Sequence, residues 1–553
     1  MSLTRIAVLA LLAPALMFTS PASAVRRRAE APPAQIKSIA KPPADVPLDH
    51  WSYPLLERLD ARGVIDLDLS TRPVSRADVS AAVEAAAARA DLSLTEREAW
   101  VMSRLEAEFV RGEVDSPVFS TEAGTASFGL GVTVFTQLRH GGEALELNLW
   151  PGSAPGGITP GRDVGIDDDD DAQLDVASDI DYEIWGGIEG LVGFYADSQI
   201  LLGGQEGARQ VRLSSRVRTW RGSTYSTERA YFKLARPNFS VVVGRRGTAW
   251  GRSRWGGLLL SGTAPSFDQF DAKFRVGALS IEAMHAFLEY EELGTEVDMG
   301  EGDNAFLAAH RLVVRGGWGS VGIGEAVVYN SATPEPVYVN PLMLYYLSQH
   351  NERENDNVLW LLDGVFNLRP GLTAYAEFLI DDLQYERSTV SPDKYGATVG
   401  GAWYGVVRGL DAELTAEYTN VRNWTYTHIQ TEHRFAQDGA PIGFELGTDA
   451  DRFRSEFVIH PAIKWSVSAT YEYARKGEGR LADPFVEGDN EAPTFPSGVV
   501  ESGSRFAAEL GYQGLEGLSA GLGAAFESVS NVGNTLGQDD DGWEFWVGVE
   551  FRL

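Results

Sequence analysis

Alternation of apolar and polar residues, sustained from about residue 120 to the C-terminus, is the feature that most constrains this chain. In the segment LDAELTAEYT, residues 410–419, nearly every apolar side chain is followed by a polar one, and residues 465–473 and 505–513 repeat the pattern. A period of two places successive side chains on opposite faces of a β-strand. A soluble β-sandwich alternates in the same way, so the connections between strands must distinguish a soluble fold from a membrane fold.

The connections fall into two classes that alternate along the chain. Eight are tight turns, near residues 189–190, 237–238, 277–278, 316–317, 370–371, 408–409, 461–462 and 514–515. Nine are longer and polar, near 138–177, 204–226, 250–267, 291–305, 331–355, 383–393, 422–451, 476–501 and 529–539. Short turns at one end and long loops at the other are typical of an antiparallel outer-membrane barrel. We therefore predict an all-β transmembrane barrel of about 18 strands over residues 120–553.

The last eleven residues, WEFWVGVEFRL, support this prediction. One face of a final strand carries Trp543, Phe545, Val547, Val549, Phe551 and Leu553. Gly548, Phe551 and Leu553 are spaced like the C-terminal signal read by the barrel-insertion machinery. That machinery is therefore a predicted partner. The last strand must also pair with the first, because a closed barrel leaves no unpaired edge in the membrane.

Composition excludes several classes of protein. The chain has no cysteine, which rules out disulfides, thiolate nucleophiles and cysteine metal sites. Its 78 acidic and 47 basic residues give a formal charge of −31, which disfavours binding to nucleic acid. The eight histidines, including His285 and His310 on predicted strands, form no HExxH motif, and no G-x-S-x-G motif occurs. We expect no enzyme activity, no cofactor and no metal site.

The first 112 residues divide into three segments. Arg5, an apolar stretch and the small-residue site at 22–24 predict a cleaved signal peptide over residues 1–24. Residues 25–47 are basic and rich in proline, as in a linker. Residues 48–112 have helical periodicity and predict a periplasmic three-helix module, which is a helical plug or docking bundle if it binds no ligand of its own. Its first helix ends before Gly63, its second begins after Ser75, and its third is capped by Ser93 or Thr95.

The predicted inward positions of the strands carry charges of both signs. They include Arg505 and the ten residues Arg229, Lys233, Glu377, Asp381, Glu413, Glu417, Glu472, Glu509, Glu550 and Arg552. Opposite charges facing one lumen would pair across it and block it, although a porin lining can also be mixed. An occluded lumen is the favoured interpretation, and an open channel is the alternative.

A glycine-rich stretch at residues 244–270 holds the densest cluster of tryptophan and arginine. Its candidate polysaccharide-binding residues are Arg245, Arg246, Trp250, Arg252, Arg254 and Trp255. Tryptophan faces stack on sugar rings, and arginine forks pair with uronate carboxylates or phosphates. The alternative is that this loop folds inward, with its arginines paired to lumen acids and its tryptophans packed. The acidic runs at 167–171 and 539–541 are interpreted as solvated charge and not as calcium loops.

Two segments also resemble known families. Residues 45–86, with a tryptophan after an aspartate, a Gly-Val-Ile turn and Arg72-Pro73 before the second helix, resemble a single S-layer-homology repeat. They are also similar to the N-terminal helical part of the capsule assembly protein Wzi family. The Trp-Gly turn at 250–251 and the Leu-Leu-Ser run at 259–261 resemble the same family's most recognisable stretch, although Arg252 stands where that family usually has proline.

The Wzi resemblance, over residues 45–553, implies an outer-membrane barrel of a Gram-negative-type cell with its helical module in the periplasm. It implies lectin-like, non-catalytic attachment or assembly of capsular or other surface polysaccharide. The implied partners are outer-membrane lipid, lipopolysaccharide and that polysaccharide, and the S-layer-homology likeness adds peptidoglycan or a wall polymer. The alternative function is a porin for small solutes with a wall-tethering module.

Overall fold

The computed structural model describes residues 43–90, 92–111, 118–121, 124–140, 174–202, 219–220, 223–289, 304–352, 355–383, 392–489, 493–514 and 517–552. The predicted signal peptide, most of the predicted linker, the acidic run at 167–171 and Leu553 lie outside these ranges. Among the described residues, no helix has the length and apolar composition that crossing a membrane requires.

Eighteen antiparallel strands close into a barrel, which confirms the predicted fold class and strand number. In chain order the strands are β1 Gly124–His140, β2 Leu174–Ile188, β3 Val192–Leu202, β4 Ala230–Arg236, β5 Phe239–Arg246, β6 Phe267–Val276, β7 Leu279–Leu288, β8 Asn304–Gly316, β9 Gly319–Ser331, β10 Asn357–Arg369, β11 Leu372–Asp382, β12 Lys394–Val407, β13 Leu410–Val421, β14 Ala450–Ala462, β15 Trp465–Lys476, β16 Glu501–Gln513, β17 Leu518–Ser530 and β18 Asp540–Arg552. β18 pairs with β1 from Phe545–His140 to Arg552–Thr133, so the last strand closes the barrel as expected.

Shorter strands complete the sheet and the loops. They are Val118–Thr121, Thr219–Trp220 and Ser223–Ser226 beside the barrel strands, and Thr71–Arg72, Ala249–Trp250, Ala436–Gln437 and Ala440–Pro441 elsewhere. We call the end of the barrel with the eight tight turns the short-turn end, and the opposite end the long-loop end.

The two faces of the strands differ as the alternation predicts. On β13, Leu414 and Tyr418 point outward and are 43% and 37% exposed, whereas Glu417 and Thr419 between and beside them are buried inside the barrel. On β16 the outward Phe506 is 56% exposed, and the inward Arg505 is buried. Apolar residues therefore cover the outside of the barrel, and polar residues line much of the inside.

The helices precede the barrel or lie in one of its loops. They are α1 Tyr53–Ala61, α2 Arg76–Ala87, α3 Glu96–Leu105, α4 Pro336–Val339 and α5 Tyr345–Glu352, with a π-helical turn at Glu106–Arg111 and short 3-10 turns at Thr431–His433 and Val532–Asn534. α1 is followed by Gly63 at a φ of 71°, a conformation that favours glycine. Ser75 caps α2, and Thr95 and Glu98 form a capping box at α3. Of the two predicted caps for the third helix, Thr95 is the one used.

The N-terminal helices lie inside the barrel at its short-turn end. We call the described residues between 43 and 111 the plug. Arg97 donates to the carbonyl of Ile463 at 2.9 Å, and the carbonyl of Ala61 accepts from Gly371 at 2.7 Å, so two tight turns touch the plug directly. The docked part begins before the predicted boundary at residue 48, because Ala44, Asp45 and Val46 are already buried.

The long-loop half of the lumen is filled by the barrel's own loops. Residues 247–266 and 422–449 fold inward, and residues 258–260 pack with Tyr426, Phe435 and Phe444. We call this cluster the loop core. It rests on small and aliphatic inward residues of β7 to β11, among them Ala286, Leu307, Ala326, Leu359 and Leu379. Hydrogen bonds from Tyr426 to the Leu258 carbonyl at 2.6 Å, and from Ser261 to the Ile442 carbonyl at 2.8 Å, join the two loops.

Candidate functional site

Asp45 anchors the beginning of the plug to the barrel wall. Its two carboxylate oxygens accept from Lys233 on β4 and Arg246 on β5, and its backbone N–H donates to Tyr231 at 2.9 Å. Arg246 also pairs with Asp271 on β6 at 2.7 Å. These groups are almost entirely buried, so each charge depends on its partners and not on water.

A second ionic anchor lies on the opposite side of the lumen. Arg58 of α1 is fully buried and pairs with Asp411 at 2.6 Å and Glu413 at 3.2 Å, both on β13. Glu413 also accepts from His460 at 3.2 Å. The predicted lumen acid Glu413 therefore holds the plug in place.

His50 and Glu108 connect the plug to the final strand. Arg552 of β18 lies 3.1 Å from the His50 ring, and Arg76 pairs with Glu108 inside the plug. Burial, with a further contribution from Arg552, lowers the pKa of His50 to about 3, so the ring is neutral at pH 7. The pKa of the Glu108 carboxyl falls to about 2 because the charges of Arg76 and Arg552 outweigh its burial.

The loop at residues 247–266 is held by predicted lumen acids. Gly251 has a φ of 92°, and a Cβ there would overlap the Glu377 carboxylate. That carboxylate accepts from the backbone N–H groups of Ser253 at 3.2 Å and Leu258 at 2.9 Å. Glycine thus allows the loop backbone to approach the wall closely enough for these hydrogen bonds.

Glu417 on β13 makes the matching contacts from the neighbouring wall. It accepts from the Ser253 hydroxyl and the Arg254 backbone N–H, each at 2.9 Å, and from the Tyr375 hydroxyl at 2.8 Å. Glu377 and Glu417 therefore act as acceptors for loop donors in place of water. The inward fold that the sequence left as an alternative is the conformation of this loop.

The structure separates the six predicted binding residues. Arg245 lies on the outward side of β5, where it pairs with Asp268 at 2.8 Å and Glu289 at 3.0 Å. Arg246 and Arg252 are buried, the former with Asp45 and Asp271 and the latter 3.8 Å from Glu57 of α1. Trp250 is buried in the loop core, and its backbone pairs with Thr71 of the plug.

Arg254 and Trp255 remain partly accessible from the lumen. The Arg254 guanidinium pairs with Glu456 of β14 at 2.8 Å, and about a fifth of its side chain is exposed. The Trp255 ring is half-buried and lies under two guanidinium groups, those of Arg254 at 5.8 Å and Arg454 at 4.9 Å. Glu57 also lies 3.8 Å from Arg254. An aromatic face beside two cations and several carboxylates has the chemistry of a sugar-binding subsite.

The other predicted lumen charges point inward, from the strands or, for Arg229, from the residue before β4. Arg229 pairs with Asp49 of the plug at 2.6 Å. Asp381 accepts from the Tyr426 backbone N–H at 2.6 Å, Glu472 lies 3.4 Å from Arg454, and Glu509 accepts from the Trp546 indole at 3.1 Å. Glu550 lines a cavity of about 510 Å³ between the plug and the wall, together with Arg552, Glu183, Tyr195 and Tyr231.

Two important groups were missed by sequence reasoning. Arg311 on β8 is fully buried and bridges Asp363 at 2.9 Å to the Ser70 carbonyl of the plug at 3.0 Å. Tyr426 forms the centre of the contact between the two inward loops. The inward register of Arg311 was available from the alternation of β8, but nothing in the sequence indicates the partner of Tyr426.

Comparisons with known proteins give a structural likeness only. No family model matches the chain, and no curated protein matches it. A solved structure of Wzi from Escherichia coli, described as an outer-membrane protein involved in group 1 capsule assembly and as a carbohydrate-binding β-barrel, is similar at 15% identity and a TM-score of 0.56. The alignment covers 93% of this chain and 99% of that one.

A Pseudomonas aeruginosa barrel, OccD3, matches at 12% identity and a TM-score of 0.39, over 77% of this chain and 91% of that one. OccK2 from the same organism also matches at 12% identity, with a TM-score of 0.40, over 77% and 97% of the two chains. The Wzi alignment spans both chains nearly completely and has a TM-score above 0.5. The chain therefore has the fold of the Wzi barrel, an 18-stranded barrel preceded by a few helices.

Proposed function

We propose that this chain is an outer-membrane barrel protein that helps attach or assemble capsular or another surface polysaccharide, as a lectin and not as a catalyst. The observation that carries the proposal is the filled lumen. A diffusion porin needs a water-filled channel, whereas here the plug occupies one half of the interior and the loop core occupies much of the other. The likeness in fold to a carbohydrate-binding barrel supports the same function.

We place the sugar-binding subsite at Trp255, with Arg254 and Arg454 beside it. Of the six residues predicted from the sequence, only Arg254 and Trp255 combine a position in the lumen with a partly exposed side chain. A uronate or another acidic sugar fits this subsite, because its carboxylate can pair with the two guanidinium groups in place of Glu57, Glu456 and Glu472, which contact them in the absence of sugar. In this proposal the short-turn end and the plug face the periplasm.

Two measurements on the purified full chain test the proposal. In planar lipid bilayers, we expect little or no stepwise conductance, because the lumen is blocked. With acidic surface polysaccharide immobilised on a sensor, we expect saturable binding that a neutral glucan does not compete away. Robust conductance without polysaccharide binding would overturn the proposal and favour the porin function.

The subsite is tested by variants with matched controls. Trp255→Ala and Arg254→Gln should each weaken polysaccharide binding, because they remove the stacking face and one of the two guanidinium groups. Trp318→Ala, at an exposed tryptophan in a tight turn, and Arg245→Gln, on the outer face, should bind as the unchanged chain does. Equal binding by all four variants would disprove the subsite. The overall function would still be decided by the conductance and binding measurements on the unchanged chain.

A further inference from the structure

One sector of the barrel's outer wall carries polar and ionisable groups. His285 on β7, His310 on β8, and Glu325 and Tyr329 on β9 occupy outward positions. They share the register of Leu312 and Ile323, which are 40% and 47% exposed on the same wall, whereas the intervening Ala309 and Ala326 point into the loop core. Ionisable groups on the lipid face of a barrel are destabilising, so these side chains require a cover.

The described residues 332–352 of the loop after β9 provide that cover by folding down over the outside of the wall. The backbone N–H groups of Tyr345 and Tyr346, at the start of α5, both donate to the Glu325 carboxylate at 2.7 Å. The carboxylate therefore caps this helix and interacts favourably with the positive end of its dipole. The Glu335 backbone N–H donates to the Tyr329 hydroxyl at 3.1 Å.

Aromatic packing fixes the loop to the wall. Tyr338 and Tyr345 are buried against Phe306 and Tyr329, and the Tyr345 ring lies 4.4 Å from the ring of His310. The Tyr329 hydroxyl also lies 2.8 Å from Nε2 of His285. This cluster is separate from the loop core, because its members point outward from the strands.

The height of these contacts along the strand places the loop at membrane depth. Glu325 is the seventh of the 13 residues of β9, so the start of α5 lies beside the middle of that strand. A transmembrane strand of 9–11 residues spans the apolar band of about 25 Å. The cover therefore lies beside the part of the barrel that the membrane surrounds.

The exposed residues of the loop between positions 336 and 347 are apolar except for Asn340. Residues 336–347, PVYVNPLMLYYL, contain no charged side chain. The exposed apolar residues are Val339, Leu342, Met343, Leu344, Tyr346 and Leu347, and Leu342 is 77% exposed. This surface continues the outward apolar surface formed by Leu312, Ile323 and Leu362 on the neighbouring strands.

We propose that residues 336–347 form a membrane-inserted flap whose exposed face is covered by the hydrocarbon of the bilayer. The uncharged sequence, the depth of the Glu325 contact and the continuity with the apolar wall all favour lipid over an aqueous partner. The flap replaces lipid over His310, Glu325 and Tyr329 and offers lipid an apolar surface in their place. This inference does not depend on the proposed function.

The absence of cysteine makes the test direct, because each introduced cysteine is the only attachment point for a nitroxide label. Labels at Leu342→Cys and Leu347→Cys in the full chain are compared in phospholipid bilayers by their collisions with oxygen and with a water-soluble nickel complex. Leu362→Cys, on the outward face of β10, is the lipid-exposed reference. Leu536→Cys, an equally apolar residue that is 81% exposed in the loop between β17 and β18, is the aqueous control.

We expect labels at 342 and 347 to collide with oxygen and to be shielded from nickel, as at 362, and the label at 536 to behave in the opposite way. Nickel access at 342 and 347 equal to that at 536 would overturn the proposal. Spin–spin broadening at 342 that disappears on dilution with unlabelled protein would also overturn it, because a second copy would then cover the face. All four substitutions are at exposed positions, so failure to fold should not obscure the result.

Discussion

The plug and the loop core fill the same barrel by opposite chemistry. The plug is held through charged groups: Asp45 with Lys233 and Arg246, and Arg58 with Asp411 and Glu413. The loop core is held mainly by apolar packing on the inward residues of β7 to β11. The acids that face the loop, Glu377 and Glu417, accept hydrogen bonds mainly from neutral backbone and hydroxyl donors.

This difference has a physical consequence. Removing one partner of a buried ion pair is strongly destabilising, and the stability that such a pair contributes depends on pH. Truncating a side chain in an apolar core costs stability in proportion to the volume of the cavity that it leaves. We therefore expect the plug to be the part that conditions can release and the loop core to be the permanent part. The predictions below test this contrast, beginning with the largest expected effect.

Removing Asp45 should have the largest effect on the plug. Asp45→Ala leaves the buried Lys233 without its carboxylate partner, and breaking a buried pair costs about 3–5 kcal/mol. Backbone amide exchange near Val46, whose N–H donates to the Val74 carbonyl, should rise strongly while exchange in residues 258–260 does not change. The double variant Asp45→Ala with Lys233→Met should recover much of the protection, and no recovery would argue that the ion pair is not the cause.

Removing one leucine from the loop core should destabilise the opposite half. Leu259 is fully buried, and Leu→Ala at such a position costs about 2–5 kcal/mol because it leaves a cavity. Exchange should rise in residues 255–262 and 435–444, the effect should not depend on salt, and the plug should keep its protection. A loss of protection confined to the plug would contradict the separation of the two fillings.

Acidification should loosen the plug before the loop core. His50 has a pKa near 3 in the docked plug and about 6.5 when free, so docking opposes protonation and weakens as pH falls below 6.5, by roughly 3 kcal/mol at pH 4.5. The pKa of Glu108 is lowered from 4.5 to about 2, so protonation of this carboxyl weakens docking further as the pH falls below 4.5. Asp60, whose pKa is raised by burial, acts in the opposite direction.

The groups facing His50 are Arg552, Arg76, Glu108 and Asp49. Amide exchange at pH 7 and pH 4.5, corrected for the intrinsic rate, measures the effect. His50→Gln should remove the loss of plug protection that occurs between pH 6.5 and 4.5, since glutamine does not titrate. An unchanged pH dependence in that variant would assign the effect to other groups.

The smallest effect should come from an exposed ion pair at the mouth of the barrel. Asp66 pairs with Arg315 of β8, but its side chain is 86% exposed. Asp66→Ala should therefore change plug protection by only about 0–1 kcal/mol, an effect reduced further by salt. A change as large as that of Asp45→Ala would mean that burial does not decide the strength of these pairs.

The sequence predicted the barrel well because a barrel imposes two regularities on a chain. The strand period is two, and tight turns alternate with long loops. Both the strands of the wall and the connections at its two ends can therefore be predicted from the sequence. Small errors arise where the pairing is irregular. The turn predicted at residues 461–462 lies at 463–464, because the β14–β15 pairing shifts register between Ile459 and Ala462, and β14 extends through Ala462.

The site was less predictable. Helical periodicity identifies the buried faces of α1 to α3, but it does not say what covers them, so the sequence alone left a plug and a docking bundle as alternatives for this module. Tryptophan and arginine, as at positions 250 and 252, occur both in ligand sites and in protein interiors. Only the positions of Glu377 and Glu57 in the structure show that this loop folds into the interior. The contact of Tyr426 with Leu258 joins loops 168 residues apart, a distance at which local patterns carry no information.

The contact of His50 with Arg552 also sets an order of assembly. The two residues are 502 positions apart and belong to the beginning of the plug and the end of the last strand. The contact cannot form until β18 has been synthesised and has reached β1, so the plug must stay undocked at this point until the wall is complete. A chain lacking its final strand would therefore be expected to leave the beginning of the plug undocked and more sensitive to added protease than in the complete barrel.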